Sequence, residues 1–133
     1  MKFYIAGRYS DEPSRLLIQD MTATLTKLGH ECTFNWTQRA DCKPYENNVE
    51  LTRQSATFDA NAVLECKLFI MVSHPEGTGM YVEYGIALAE NLRTGMPKMY
   101  LTGDHKNCSL FNYHPNVLWR DSLEEIIAEI SEK

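Results

Sequence analysis

Glu83 lies in the stretch Glu76-Gly77-Thr78-Gly79-Met80-Tyr81-Val82-Glu83-Tyr84-Gly85-Ile86-Ala87-Leu88-Ala89, just downstream of the apolar run Leu68–Val72. That order reads as a buried strand, a glycine turn and a helix that carries a carboxylate near its start. Gly77 and Gly79 let the backbone turn sharply and approach a ligand closely. In the opening turn of a helix, the positive end of the dipole favours a carboxylate. The chemistry on offer is therefore that of one acid presented to the crevice above a sheet.

Other residues could join it. Asp59 falls in the second half of a helical pattern, within Phe58-Asp59-Ala60-Asn61-Ala62, and by itself reads as a solvated helix residue. Tyr4 lies on an apolar first strand, where a tyrosine is usually core and its hydroxyl finds one partner. Gly7-Arg8-Tyr9-Ser10 follows that strand; Arg8 suits an anionic group as well as it suits open solvent. Tyr9 and Trp36 offer aromatic faces that could stack on a base or simply cap the core. His74, His105 and His114 fall in loops on the same side.

Several chemistries are disfavoured. No serine or cysteine occupies a nucleophile-elbow context such as G-x-S-x-G. The glycine turn lacks the G-K-[ST] of a phosphate loop. It also lacks the third glycine of a dinucleotide fingerprint, and it follows the third strand rather than the first. Cys32, Cys42, Cys66 and Cys108 form no C-x-x-C pair, and no histidine completes a zinc spacing, so no metal site and no cofactor are expected.

The elements that must position these residues follow from hydrophobic spacing. Lys2–Ala6 reads as a first strand. Pro13 suits a helix start behind Asp11 as cap, with Leu16, Leu17, Met21, Leu25 and Leu28 at helical spacing and Gly29 as the stop. Glu31–Trp36 alternates and predicts a second strand. The polar stretch 37–48 is the longest gap in regular structure and a candidate lid. A helix over Val49–Lys67, a strand at Leu68–Val72 and the helix bearing Glu83 follow, the last running to about Arg93. Lys98–Thr102 predicts a fourth strand, 103–115 a second polar loop, and Val117–Trp119 a short fifth strand. A last helix starts at Asp121 or Ser122, with Leu123, Ile126, Ile127 and Ile130 on one face.

Strands alternating with helices predict an α/β three-layer sandwich around a five-stranded parallel sheet. The flavodoxin-like order 2-1-3-4-5 places the switch point between strands one and three, where ligands bind outside the carboxyl ends. Those ends carry Gly7–Ser10 and Ser73–Glu83.

The chain has 133 residues, the size of one domain, and a composition of 44% hydrophobic and 23% charged residues. Its net charge of −5 and lack of a basic stripe argue against a nucleic-acid polymer, while leaving a single nucleotide open. No apolar run approaches the roughly 20 residues of a membrane span. Scattered cysteines and an N-terminus that enters a strand directly fit a cytoplasmic protein.

Two separated motifs, Tyr4-Ile5-Ala6-Gly7 and Gly77-Thr78-Gly79-Met80-Tyr81-Val82-Glu83-Tyr84-Gly85-Ile86-Ala87, together resemble the nucleoside 2-deoxyribosyltransferase family, which includes nucleoside 5′-monophosphate N-glycosidases. The resemblance spans nearly the whole domain. It implies that Glu83 attacks the anomeric carbon of a sugar and displaces the base, that Tyr4 positions the carboxylate, and that Asp59 lies near the base. It further implies a pocket for a small nucleoside or nucleotide that includes Gly7, Arg8, Tyr9, Ser10, His74, Glu76, Gly77 and Gly79. Family members commonly complete this pocket across a homodimer or larger homo-oligomer. Here the loop Ser109–Tyr113, with Asn112, is the segment to do so. Glu76 is shifted from the aspartate that transferases carry before the glycine turn. The strand-three entry carries Lys67 in place of the usual acid, and Arg8-Tyr9-Ser10 with Arg15 is a partial version of the phosphate-holding first loop. Two other readings keep the same crevice: an NAD glycohydrolase of the TIR-like type, and a nucleotide-sensing module without turnover.

Overall fold

The apolar runs Phe3–Ala6, Leu68–Val72 and Met99–Leu101 are buried along their whole length, as strands covered on both faces by helices must be. They form the centre of a sheet in the computed structural model, which describes residues 1–131. The elements run β1 (Lys2–Ala6), α1 (Glu12–Lys27), β2 (Glu31–Cys32), α2 (Val49–Glu65), β3 (Leu68–Val72), α3 (Thr78–Thr94), β4 (Lys98–Thr102), β5 (Val117–Trp119) and α4 (Leu123–Ser131). The five strands are parallel in the order β2-β1-β3-β4-β5. The expected flavodoxin-like order is the one observed.

Register decides which side chains face which layer. Tyr4 lies opposite Phe69 and Phe69 opposite Met99, so these three point to one face. On that face Tyr4 stacks on Phe69 and Phe69 on Tyr84 of α3, at centroid distances of 6.1 and 6.4 Å. The other face meets α1 and α4. Ile18 of α1 fills the space left by Gly7, where a Cβ would come within 2.3 Å of its Cδ1. Tyr100 donates to Glu129 of α4 at 3.4 Å, and Ile126 is fully buried beneath that helix.

Local signals explain the helix ends. The Asp11 carboxylate accepts from the Ser14 amide (3.0 Å) and hydroxyl (2.6 Å), with Pro13 in the first turn. Gly95 ends α3 in the left-handed region at φ 88°.

Two expectations need correction. The second strand stops at Cys32, because the residues beyond it find local partners. The Asn35 side chain accepts from Thr37, and the Trp36 indole donates to the Ile5 carbonyl at 2.7 Å. The buried stripe of α1 is Ile18, Met21 and Leu25, whereas Leu16, Leu17 and Leu28 are exposed. Of the five residues in the expected stripe, Met21 and Leu25 are in the core, while the other three leucines lie off it and Ile18 takes their place. Among the described residues no helix is long and apolar enough to cross a membrane.

Candidate active site

Tyr4 is buried on β1, and its hydroxyl donates to Glu83 Oε2 in a very short hydrogen bond. The contact joins residues 79 apart in sequence, across the gap between β1 and the start of α3. The helix begins at Thr78, so Glu83 sits in its second turn rather than its first. There it gains less from the helix dipole, whose influence falls off within one turn, and more from the tyrosine. Asp59 arrives from α2 on the other side. One of its oxygens accepts from Arg39 Nη1 at 2.5 Å. The other, Oδ1, is buried with no hydrogen-bond partner.

These neighbours set the charge state of Glu83. Burial pushes its carboxyl up to about 8, and the nearby Asp59 adds to the effect, while the Tyr4 hydrogen bond and the Arg39 charge oppose it. Burial also raises the Asp59 carboxyl, against the hydrogen bond and charge of Arg39. Burial, followed by the charge of Glu83, holds the Tyr4 phenol well above 10, so it stays a donor at any physiological pH. A carboxyl whose charge is set by a permanent donor and a paired carboxylate beside it can act at a reacting bond as an acid when protonated and as a nucleophile when ionised.

A cavity of about 350 Å³ opens above these groups. Its walls are the turn Gly7–Ser10 after β1, the segment between β2 and α2, the inner face of α2, and the start of α3. Tyr9 and Trp36 form an aromatic corner, 5.9 Å between rings. The guanidinium groups of Arg15 and Arg39 each lie over the Tyr9 ring, 5.9 and 5.6 Å from its centroid. The volume falls within the range of small-molecule sites.

The structure thus brings Tyr4, Asp59 and Glu83 together, with Gly7, Arg8, Tyr9, Ser10, Gly77 and Gly79 around the cavity. Three expected residues lie elsewhere. Glu76 sits at the rim, ion-paired with Arg8 at 3.0 Å. His74 is folded back into its own turn. Its Nδ1 accepts from the Glu76 amide at 3.0 Å, and its Nε2 lies 3.9 Å from Asp11. Asn112 is fully buried inside the loop between β4 and β5, where its amide donates to the Lys106 carbonyl at 2.9 Å. The exposed members of that loop are Leu110, Phe111 and Tyr113. The resemblance gave Asn112 to a loop that completes a pocket across an oligomer; within its own chain the side chain holds the loop's backbone.

Arg39 is the residue that sequence reasoning missed. The only available signal was its place in the polar stretch 37–48. Lys43, Tyr45, Thr52 and Ser55 line the cavity as well. Among the described residues no cluster of three or more His, Cys, Asp or Glu side chains is placed to hold a metal ion.

The class defined by these features is a five-stranded, flavodoxin-order α/β domain with a carboxylate pair at its switch point. Solved structures share the fold. The CMP N-glycosidase BcmB of Clostridium botulinum is similar at a TM-score of 0.63 and 18% identity, over 99% of this chain and 100% of that one. A conserved protein from Enterococcus faecalis V583 is similar at 0.58 and 14%, over 98% and 96%. At such identities the shared property is the fold. No protein-family model matches the sequence, and no curated protein matches it either.

Proposed function

We propose that this protein cleaves the N-glycosidic bond of a nucleoside or nucleoside 5′-monophosphate, with Glu83 as nucleophile. The observation that carries the reading is the hydrogen bond from the buried Tyr4 to Glu83, which lines the cavity. The likeness of the whole chain to a CMP N-glycosidase supports the same choice of bond. In the first step the Glu83 carboxylate attacks the anomeric carbon, the carbon–nitrogen bond breaks, and the base departs with that electron pair and takes up a proton. That proton comes from a water of the open cavity held by the ionised Asp59 carboxylate, and the hydroxide left behind is the water species that completes the second step. Water, or a second base, then displaces Glu83 from the sugar and regenerates the carboxylate. Splitting one difficult displacement into two is the logic of retaining glycosidases.

Glu83 must be ionised to attack. With its carboxyl held up to about 8, base release rises with pH through the neutral range.

A panel of nucleosides, their monophosphates and NAD, incubated with the protein and resolved by chromatography, tests the reading. Wild type is expected to release free base from at least one nucleoside or nucleotide. Glu83→Ala is expected to lower that rate on the order of 10³-fold or more, as loss of a nucleophile does. Equal inertness of the two across the panel would remove the catalytic reading. Nicotinamide release from NAD alone would point to the NAD glycohydrolase. A ligand that raises the melting temperature without giving product would point to a sensing module.

A further inference from the structure

We propose that Arg39 is a positioning residue of this site. Its guanidinium balances Asp59, so that Glu83 can carry its own charge beside a second carboxylate in a largely buried setting. The kinetic part of this inference rests on Glu83 being the nucleophile; the electrostatic part does not.

The geometry comes from four elements. Glu83 stands on α3, Asp59 on α2 and Tyr4 on β1, and Arg39 is delivered by the segment between β2 and α2. Arg39 Nη1 lies 2.5 Å from Asp59 Oδ2, with side-chain exposures of 24% and 16%. Two carboxylates in so enclosed a place cannot both ionise unless a cation offsets one of them. The charged and titratable groups facing the pair are Tyr4, Arg39 and, behind Arg39, the thiol of Cys42. Tyr4 and Cys42 are neutral in their protonated forms, so Arg39 supplies the positive charge. Its position is itself fixed. The Tyr9 hydroxyl donates to the Arg39 carbonyl at 3.2 Å, and the Tyr9 ring lies under its guanidinium at 5.6 Å.

This arrangement also makes Arg39 a tie between two walls of the cavity, its own segment and α2. Between the turn at 36–38 and the start of α2, the chain touches α2 through Arg39–Asp59, and again where Cys42 Sγ lies 3.3 Å from Ser55 Oγ. The residue that joins these two walls is therefore also the one that offsets the carboxylate charge between them.

The test compares wild type with Arg39→Gln, Arg39→Ala and Arg39→Lys, each first shown to melt cooperatively. Carbon-13 NMR titration of the Asp59 and Glu83 carboxyls reads the electrostatic part without needing turnover. Loss of the guanidinium in the Gln and Ala variants is expected to raise the titration of the pair by about one pH unit or more, the effect of removing an adjacent opposite charge. Lysine is expected to retain most of the wild-type behaviour. On a substrate that wild type turns over, the rising limb of kcat/KM with pH should move alkaline by a similar amount. Restoration toward alkaline pH would separate this from simple loss of binding. Wild-type carboxyl titrations in the Gln variant would overturn the proposal. If wild type turns over nothing in the panel, the glycosidase reading fails while the titrations still decide the role of Arg39. Should the Ala variant fold poorly, Gln keeps the length and polarity of the side chain and gives the same decision.

Discussion

Tyr4 has almost no freedom in where it points. Its ring is stacked on Phe69 and its side chain is fully enclosed, so the hydroxyl emerges at one place, against Glu83. The hydrogen bond favours the ionised carboxyl over the protonated one. Tyr4→Phe keeps the stacking and the volume and removes only the donor. A hydrogen bond to a charged group contributes about 1.5–3 kcal/mol, so base release at pH 7 should fall roughly ten- to hundredfold. The rising limb of the pH profile should shift alkaline as well. A folded Phe variant with unchanged rate and profile would mean the contact is structural only. The pairing was legible only through the family resemblance, whose two motifs carry one partner each; by itself Tyr4 reads as a core tyrosine. Arg39 was not legible. Its contact spans 20 residues across a segment without periodicity, and nothing local distinguishes it from any exposed arginine. Asn112 came with the loop 109–113 through the resemblance, and its burial on the Lys106 carbonyl is a tertiary fact that the sequence pattern does not carry.

At the scale of elements, the start of α3 decides where Glu83 points. No side chain caps this helix; Gly77 takes the capping position with φ 112°, in the region that disfavours any side chain. A Cβ at Gly77 would have room, at 3.4 Å from Met80 Sδ and 3.5 Å from Arg8 Cγ, so the cost of Gly77→Ala is backbone strain. That strain is about 1–2 kcal/mol, a fall in Tm of roughly 3–8 °C for a domain of this size. Gly29 provides the control, since it has φ 97° with nothing within 4 Å and lies far from the cavity. Calorimetry should show similar losses for Gly29→Ala and Gly77→Ala. Turnover per folded molecule should drop only in Gly77→Ala, because there the backbone relaxes by re-aiming the first turns of α3. Equal turnover in the two variants would mean that this turn does not aim Glu83. The strand order was legible for a related reason. Each strand-to-helix switch in hydrophobic period is a local property, and right-handed crossovers leave few ways to order the strands. The end of the second strand was not, since alternation continues through Phe34 and Trp36 while tertiary hydrogen bonds have already taken the chain elsewhere.

For the molecule as a whole, the enclosed carboxyl makes folding depend on pH. Glu83 has a folded value of about 8 against an ordinary 4.5. Between those limits the folded state keeps a proton that the unfolded chain has lost. The resulting stability is complete below the unfolded value and is lost as pH rises through the folded one. Asp59 is raised in the same direction. Asp11 and Glu129 are lowered, through Ser14 and Arg120 respectively. Their contributions are present above the ordinary carboxylate range and fade as pH falls. Both side chains are about a third exposed, at 32% and 31%, so solvent screens much of their effect. The expected curve therefore loses Tm steadily from about pH 5 toward pH 8. Glu83→Gln removes the charge, while its carbonyl still accepts from Tyr4 and its amide can donate to Asp59. The variant should melt close to wild type near pH 5 and above it near pH 8.5, with the gap opening across the interval. The chain's net charge of −5 tilts both curves alike, so the gap isolates Glu83. Melting curves that stay parallel from pH 5 to pH 8.5 would show that this carboxyl is already ionised at neutral pH, and that its proton has no part in holding the fold or in timing the reaction.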